Sequence, residues 1–125
     1  MLDLADATGG LVIKNYKHIV LSPDDTETQN LRLWSLRKTE NIRINLVEFS
    51  GELALHKHPD AAHTLIILEG TVKVLAGDQQ EILEKGDFIS IPAEMPHKYW
   101  SLSPRATMVS MDAPYYDPRK TVVLE

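Results

Sequence analysis

The 125-residue chain contains no cysteine. That removes disulfides, thiolate ligands and cysteine nucleophiles, leaving imidazole, carboxylate and water as ligand chemistry. The absence also leans toward a reducing compartment. No stretch approaches the roughly 20 apolar residues of a membrane span. The opening Met-Leu-Asp-Leu-Ala-Asp lacks the basic start of a secretory signal, so the chain reads as cytoplasmic and soluble, with no membrane partner. Lys and Arg never form a run, and the formal net charge is −5, which argues against a nucleic-acid partner because phosphate-backbone binding needs clustered positive charge. Arg32, Arg37, Lys38 and Arg43 are spaced like strand residues facing water. Helical periodicity is hardly anywhere sustained, and Gly51, Gly70, Gly77-Asp78, Gly86-Asp87, Pro92 and Pro96 interrupt the chain too often for long helices.

What remains is a series of short apolar or alternating runs broken by turn residues, the pattern of a single all-β sandwich or barrel domain. The expected strands cover residues 17–21, 31–36, 41–49, 52–58, 63–68, 71–76, 79–83, 88–91, 97–102 and 106–111, with 121–124 as a possible terminal strand. Gly77-Asp78 between two such runs suggests a hairpin. Residues 1–16 read as an N-terminal arm, 17–112 as the barrel and 113–125 as an irregular tail.

Four of the five histidines carry the functional signal. His56 and His58 are two apart in an extended run, so their rings share one face and can aim at one point. His63 follows the turn-like Pro59-Asp60-Ala61-Ala62 and opens another apolar run, and His97 heads a strand after Pro92-Ala93-Glu94-Met95-Pro96. A histidine taken alone in a strand is usually structural, and His18 keeps that reading. Tyr99 lies two residues after His97 and shares its inward face, which makes it the candidate catalytic side chain. Trp34 and Trp100 read as core more readily than as cavity lining, and Met95 and Met108 as packing.

Two stretches together resemble the motifs of the cupins, small conical β-barrels of the double-stranded β-helix or jelly-roll type. The first runs Gly51, four residues, His56-Lys57-His58, four residues, His63, six residues, Gly70. The second runs Gly86, five residues, Pro92-Ala93-Glu94, two residues, His97. His63 stands where the family usually has Glu, and Glu94 where it usually has Gly; some small cupins are similar in using four histidines. The resemblance covers about residues 45–105 and implies a conical β-barrel with a metal held by His56, His58, His63 and His97. Dimers are common among small cupins, so it also implies a homodimer.

Four imidazoles with ordinary pKa values near 6.5, crowded together, would disfavour one another's protonation and stay available for a cation. Neutral nitrogen ligands suit one divalent transition metal per chain, Zn, Ni, Fe, Cu or Mn. With no carboxylate among the ligands, the ion would keep its full positive charge and polarise a bound oxygen strongly. An octahedral ion would retain two adjacent open positions, whereas a tetrahedral zinc would be saturated. Asp60, Glu48, Tyr99 and backbone carbonyls are candidates for holding the second ring nitrogens. The resemblance implies an enzyme acting on a small chelating oxygenated substrate such as a dicarbonyl, hydroxyketone or sugar acid, of dioxygenase or isomerase/lyase type. A non-catalytic ligand-binding or sensor cupin and a purely structural metal site are the alternatives.

Overall fold

A computed structural model describes residues 10–114 and 120–125. Eleven strands are assigned among them: β1 (Thr26–Glu27), β2 (Leu31–Lys38), β3 (Arg43–Phe49), β4 (Glu52–Lys57), β5 (Ala62–Glu69), β6 (Val72–Ala76), β7 (Gln79–Leu83), β8 (Phe88–Ile91), β9 (His97–Ser101), β10 (Ala106–Ala113) and β11 (Val122–Val123). They form two antiparallel sheets, one ordered β1-β2-β3-β10-β5-β8 and the other β11-β4-β9-β6-β7. From β3 to β6 and again from β7 to β11 the chain alternates between the sheets. That alternation is the jelly-roll connectivity, and it sets residues far apart in sequence on facing walls.

Alternation within each strand supplies the core. Val47, Phe49, Leu65, Ile67, Ile91 and Met108 point inward from the six-stranded sheet to meet Val72, Val74 and Tyr99 from the other. All are buried, so each strand shows its apolar face to the opposite sheet. The expected hairpin joins β6 to β7: Ala76 pairs with Gln79 across a two-residue loop in which Gly77 has φ +60°. At Gly70 the backbone needs glycine twice over. Its φ is +86°, and a Cβ there would lie 2.6 Å from Ser103 Oγ and 2.7 Å from the Arg105 carbonyl oxygen.

The ends of the chain differ from expectation. The strand expected over 17–21 is replaced by a 3₁₀ turn, Tyr16–His18, because the Asn15 side chain accepts from the Lys17 backbone N–H at 3.1 Å and caps it. His18 lies in that turn and is exposed, away from the other histidines. Residues 1–9 of the expected arm lie outside the described residues; the described part is tied to β2, with Lys14 Nζ donating to the Ser35 carbonyl at 3.0 Å and Arg37 to the Gly10 carbonyl. Within the expected tail, residues 115–119 lie outside the described residues, while β10 continues to Ala113 and β11 pairs with β4 at Lys57 and His56. Among the described residues no helix is long and apolar enough to cross a membrane.

Candidate metal centre

Strand β4 and the residue after it deliver His56 and His58. Leu53 pairs with Tyr99 and His56 with His97, so β4 has one residue more than β9 between the two pairs. This β-bulge shifts the strand's alternation, and Leu53, His56 and His58 all line one chamber. His97 is the first residue of β9, and His63 enters from β5 on the facing sheet. The Glu94 backbone N–H donates to the His58 carbonyl at 2.9 Å, tying the loop before His97 to the end of β4.

The rings converge. Centroids are 4.3 Å apart for His56 and His97, 4.9 Å for His56 and His58, 4.9 Å for His58 and His97, and 4.6 Å for His58 and His63. Two overlapping three-residue groups share His58: His56, His58 and His97, and His58, His63 and Asp112. In each group the ligand atoms all lie within 4.8 Å of one another. Tyr99 packs beside them, its ring centroid 5.4 Å from that of His97.

Three of the rings are oriented from behind. Nδ1 of His56 donates to the Ala54 carbonyl at 2.7 Å, Nδ1 of His97 to the Met95 carbonyl at 3.0 Å, and Nδ1 of His63 to the Asp112 carboxylate. A carbonyl or carboxylate oxygen only accepts, so Nδ1 carries the hydrogen and Nε2 keeps its lone pair for a metal. The Nε2 of His97 is buried without a hydrogen-bond partner among the described residues. This donor set fits a divalent transition ion.

Electrostatics favour the same state. Burial, reinforced by the neighbouring histidines, pulls His58 down to about 3, and burial with His56 and His63 nearby takes His97 to about 3 as well. Burial also lowers His56, against the opposing hydrogen bond to Ala54. The three are therefore neutral at neutral pH, the form that binds cations. The Tyr99 hydroxyl is pushed well above its ordinary value by burial and by the Asp112 charge, so it remains a protonated donor.

Several expectations about the surroundings are corrected. Asp60 pairs with Lys120 at 3.1 Å and Glu48 with Arg105 at 2.7 Å, so neither orients a histidine. The expected backbone carbonyls do so for His56 and His97, and Asp112 does so for His63, which also means that a carboxylate stands beside the centre after all. The strand expected to stop at residue 111 hid it; one further step of the Met108, Ser110, Asp112 alternation points it inward. Arg43, expected to face water, lines the chamber with the histidines. Trp100 lies on the outer face of its sheet, with Nε1 donating to Glu52 at 3.0 Å and the Lys73 ammonium 4.4 Å from its ring centroid. Trp34 is buried but does not line the chamber, whereas Met108 both packs in the core and lines it.

The chamber between the sheets has a volume of about 350 Å³. Leu31, Leu33, Val47 and Met108 give it an apolar part, and the histidines with Arg43, Asn45 and Ser110 a polar one. That mixture is typical of small-molecule sites.

Comparison with known proteins agrees with this architecture. Residues 46–112 match the Cupin_2 model, described as a cupin domain. Quercetin 2,3-dioxygenase of Bacillus subtilis (strain 168) is 34% identical over 56 residues, 45% of this chain and 17% of that protein, so the chain spans only a small part of that relative's length. An uncharacterized protein of Aquifex aeolicus (strain VF5) is 24% identical over 113 residues, 90% of this chain and 93% of the other. Among solved structures, KdgF from Halomonas sp. superposes with a TM-score of 0.75 at 18% identity, covering 88% of this chain and 98% of that one. With its two-sheet jelly roll and inward-facing histidines, the chain belongs to the Cupin_2 family of cupin domains.

Proposed function

We propose that the protein is a mononuclear metal-dependent enzyme acting on a small chelating oxygenated substrate, with His56, His58, His63 and His97 as the ligands. The observation that supports this reading is the set of hydrogen bonds from Nδ1 of His56, His63 and His97, which leaves the lone pair of Nε2 on each ring available to a metal. A bound divalent ion would supply Lewis acidity toward a carbonyl, hydroxyl or water, or a site for O₂. The chain's own residues do the rest. Tyr99 holds a hydroxyl proton at the chamber wall, and Asp112 fixes His63 and would serve as the base, being a carboxylate beside the histidines.

The chamber favours this reading over a closed structural site, which needs no cavity beside it. The similarity of a segment to quercetin 2,3-dioxygenase points in the same direction. Metal content of protein purified without added metal, compared with His58→Ala, tests the ligands: equal stoichiometry in the two would defeat the assignment. A panel of dicarbonyls, hydroxyketones and sugar acids, with and without O₂, tests the reaction class. Turnover that ignores metal, or none across the panel, would favour the ligand-binding or sensor alternative.

The homodimer belongs to this reading too. Ile66 and Phe88 are cross-strand partners, 44% and 66% exposed, and form an apolar patch on the outside of the six-stranded sheet. A monomeric mass in solution would remove it.

A further inference from the structure

Within the chamber, Arg43, Asn45 and Ser110 form a second polar cluster that takes no part in orienting the histidines. Arg43 and Asn45 are two apart on β3 and share the inward face; their register partners on β10 are Asp112 and Ser110. All four line the chamber. Although Arg43 and Asp112 are partners across the ladder, they form no ion pair, because the Asp112 carboxylate is turned to His63 on its other side. The guanidinium is left with a buried Nε that has no hydrogen-bond partner among the described residues. Asn45 is 3% exposed; its amide makes one long contact, Nδ2 to Ser110 Oγ at 3.5 Å, and its Oδ1 has no partner among the described residues. The Tyr99 hydroxyl is in the same position.

Arg43 is half-buried, but a buried guanidinium Nε and a buried amide oxygen left without partners are costly, and a fold gains no stability from keeping them at one wall of the chamber. Groups of this kind fit a ligand that completes them. We propose that Arg43 is the anchor for the carboxylate of a hydroxylated acid, with Asn45 and Ser110 receiving its hydroxyl groups and the acid's other end at the histidine centre. The proposal rests on the metal-enzyme reading for that other end. Across the β3-β10-β5 ladder, Arg43, Asp112 and His63 occupy one row, two strand spacings or about 10 Å from end to end, a span suited to a ligand of a few carbons with its charge and its chelating oxygens at opposite ends. A single guanidinium beside the Asp112 carboxylate suits one negative charge rather than the two of a phosphate. The wall also offers no cradle of unpaired backbone N–H groups, since β3 and β10 spend theirs in the ladder.

Calorimetric titration of gluconate, its neutral counterpart glucitol, and glucitol 6-phosphate tests this, using both chelator-treated and nickel-loaded protein. Gluconate should bind about tenfold or more tightly than glucitol, and the phosphate no better than glucitol. In Arg43→Gln the preference for gluconate over glucitol should vanish; Arg43→Lys should keep part of it. The thermal midpoint of Arg43→Gln should not fall, because the buried Nε has no partner among the described residues to lose; should that variant not fold, the partial loss in Arg43→Lys becomes the deciding measurement. A preference that survives Arg43→Gln, no preference in the wild type, or tighter binding of the phosphate would overturn the proposal. If the protein takes up none of Zn, Ni, Fe, Cu or Mn but keeps an Arg43-dependent preference, the anchor stands and the metal reading fails.

Discussion

Asp112 on β10 and His63 on β5 are register partners whose side chains are also joined, His63 Nδ1 donating to Asp112 Oδ1 with both residues buried. The carboxylate fixes the ring's orientation and tautomer, so its effect is felt at the far nitrogen. Asp112→Asn keeps the shape but removes the charge. Metal affinity measured by competition with a chelator should fall about 10- to 100-fold, with the fold intact by circular dichroism. Undiminished affinity would take Asp112 out of this role.

The depressed histidines make the metal-free protein acid-sensitive. His58 and His97 have folded pKa values of about 3, against about 6.5 when unfolded. Between those limits the unfolded chain binds protons that the folded chain refuses, so stability is complete above about 6.5 and declines as the pH falls toward 3. Each histidine contributes a slope of about 1.4 kcal/mol per pH unit within that window. Urea denaturation of chelator-treated protein at several pH values between 7 and 4 measures it. A His97→Gln variant should show a shallower decline, and a flat profile would contradict the buried neutral state.

Gly70→Ala should be among the most damaging small substitutions. The added Cβ meets the Ser103 hydroxyl at 2.6 Å and the Arg105 carbonyl at 2.7 Å, at a φ of +86°. Backbone contacts cannot retreat as a side-chain tip can, and a loss of about 2 kcal/mol or more is expected. Gly51→Ala is the control: its φ is +67° but its Cβ would meet nothing within 4 Å, so chemical denaturation should show a smaller loss.

Tyr99→Phe separates function from stability. The hydroxyl is buried with no hydrogen-bond partner among the described residues, so removing it should leave the protein as stable or slightly more so. Turnover of any substrate found in the panel should nevertheless fall. A thermal midpoint lowered by several degrees would mean that the hydroxyl supports the fold instead.

Most strands were legible because alternation and breakers agree: residues 79–83 and 88–91 match β7 and β8, and Gly77-Asp78 marks the hairpin. The four histidines were legible through spacing, and the motif's departure at Glu94 has a structural echo, since its φ of +73° is the left-handed conformation that glycine usually provides. What escaped was non-local. Asn15 capping defeated the strand expected over 17–21, and Asp112 and Arg43 became site residues only when β3, β10 and β5 aligned. Nothing in the local pattern of Arg43 distinguishes an inward from an outward guanidinium; the face is decided by which sheet closes over it. Trp100 shows the converse, an aromatic kept outside by parity with Tyr99.

The extra residue in β4 makes the centre depend on chain length as well as on side-chain identity. Shortening the segment between Leu53 and His56 by one position would turn His56, and His58 just after the strand, toward the outside while His97 stayed in place, dismantling the cluster without altering any histidine. Among variants of this chain, single-residue deletions there should be as disruptive as replacing a ligand.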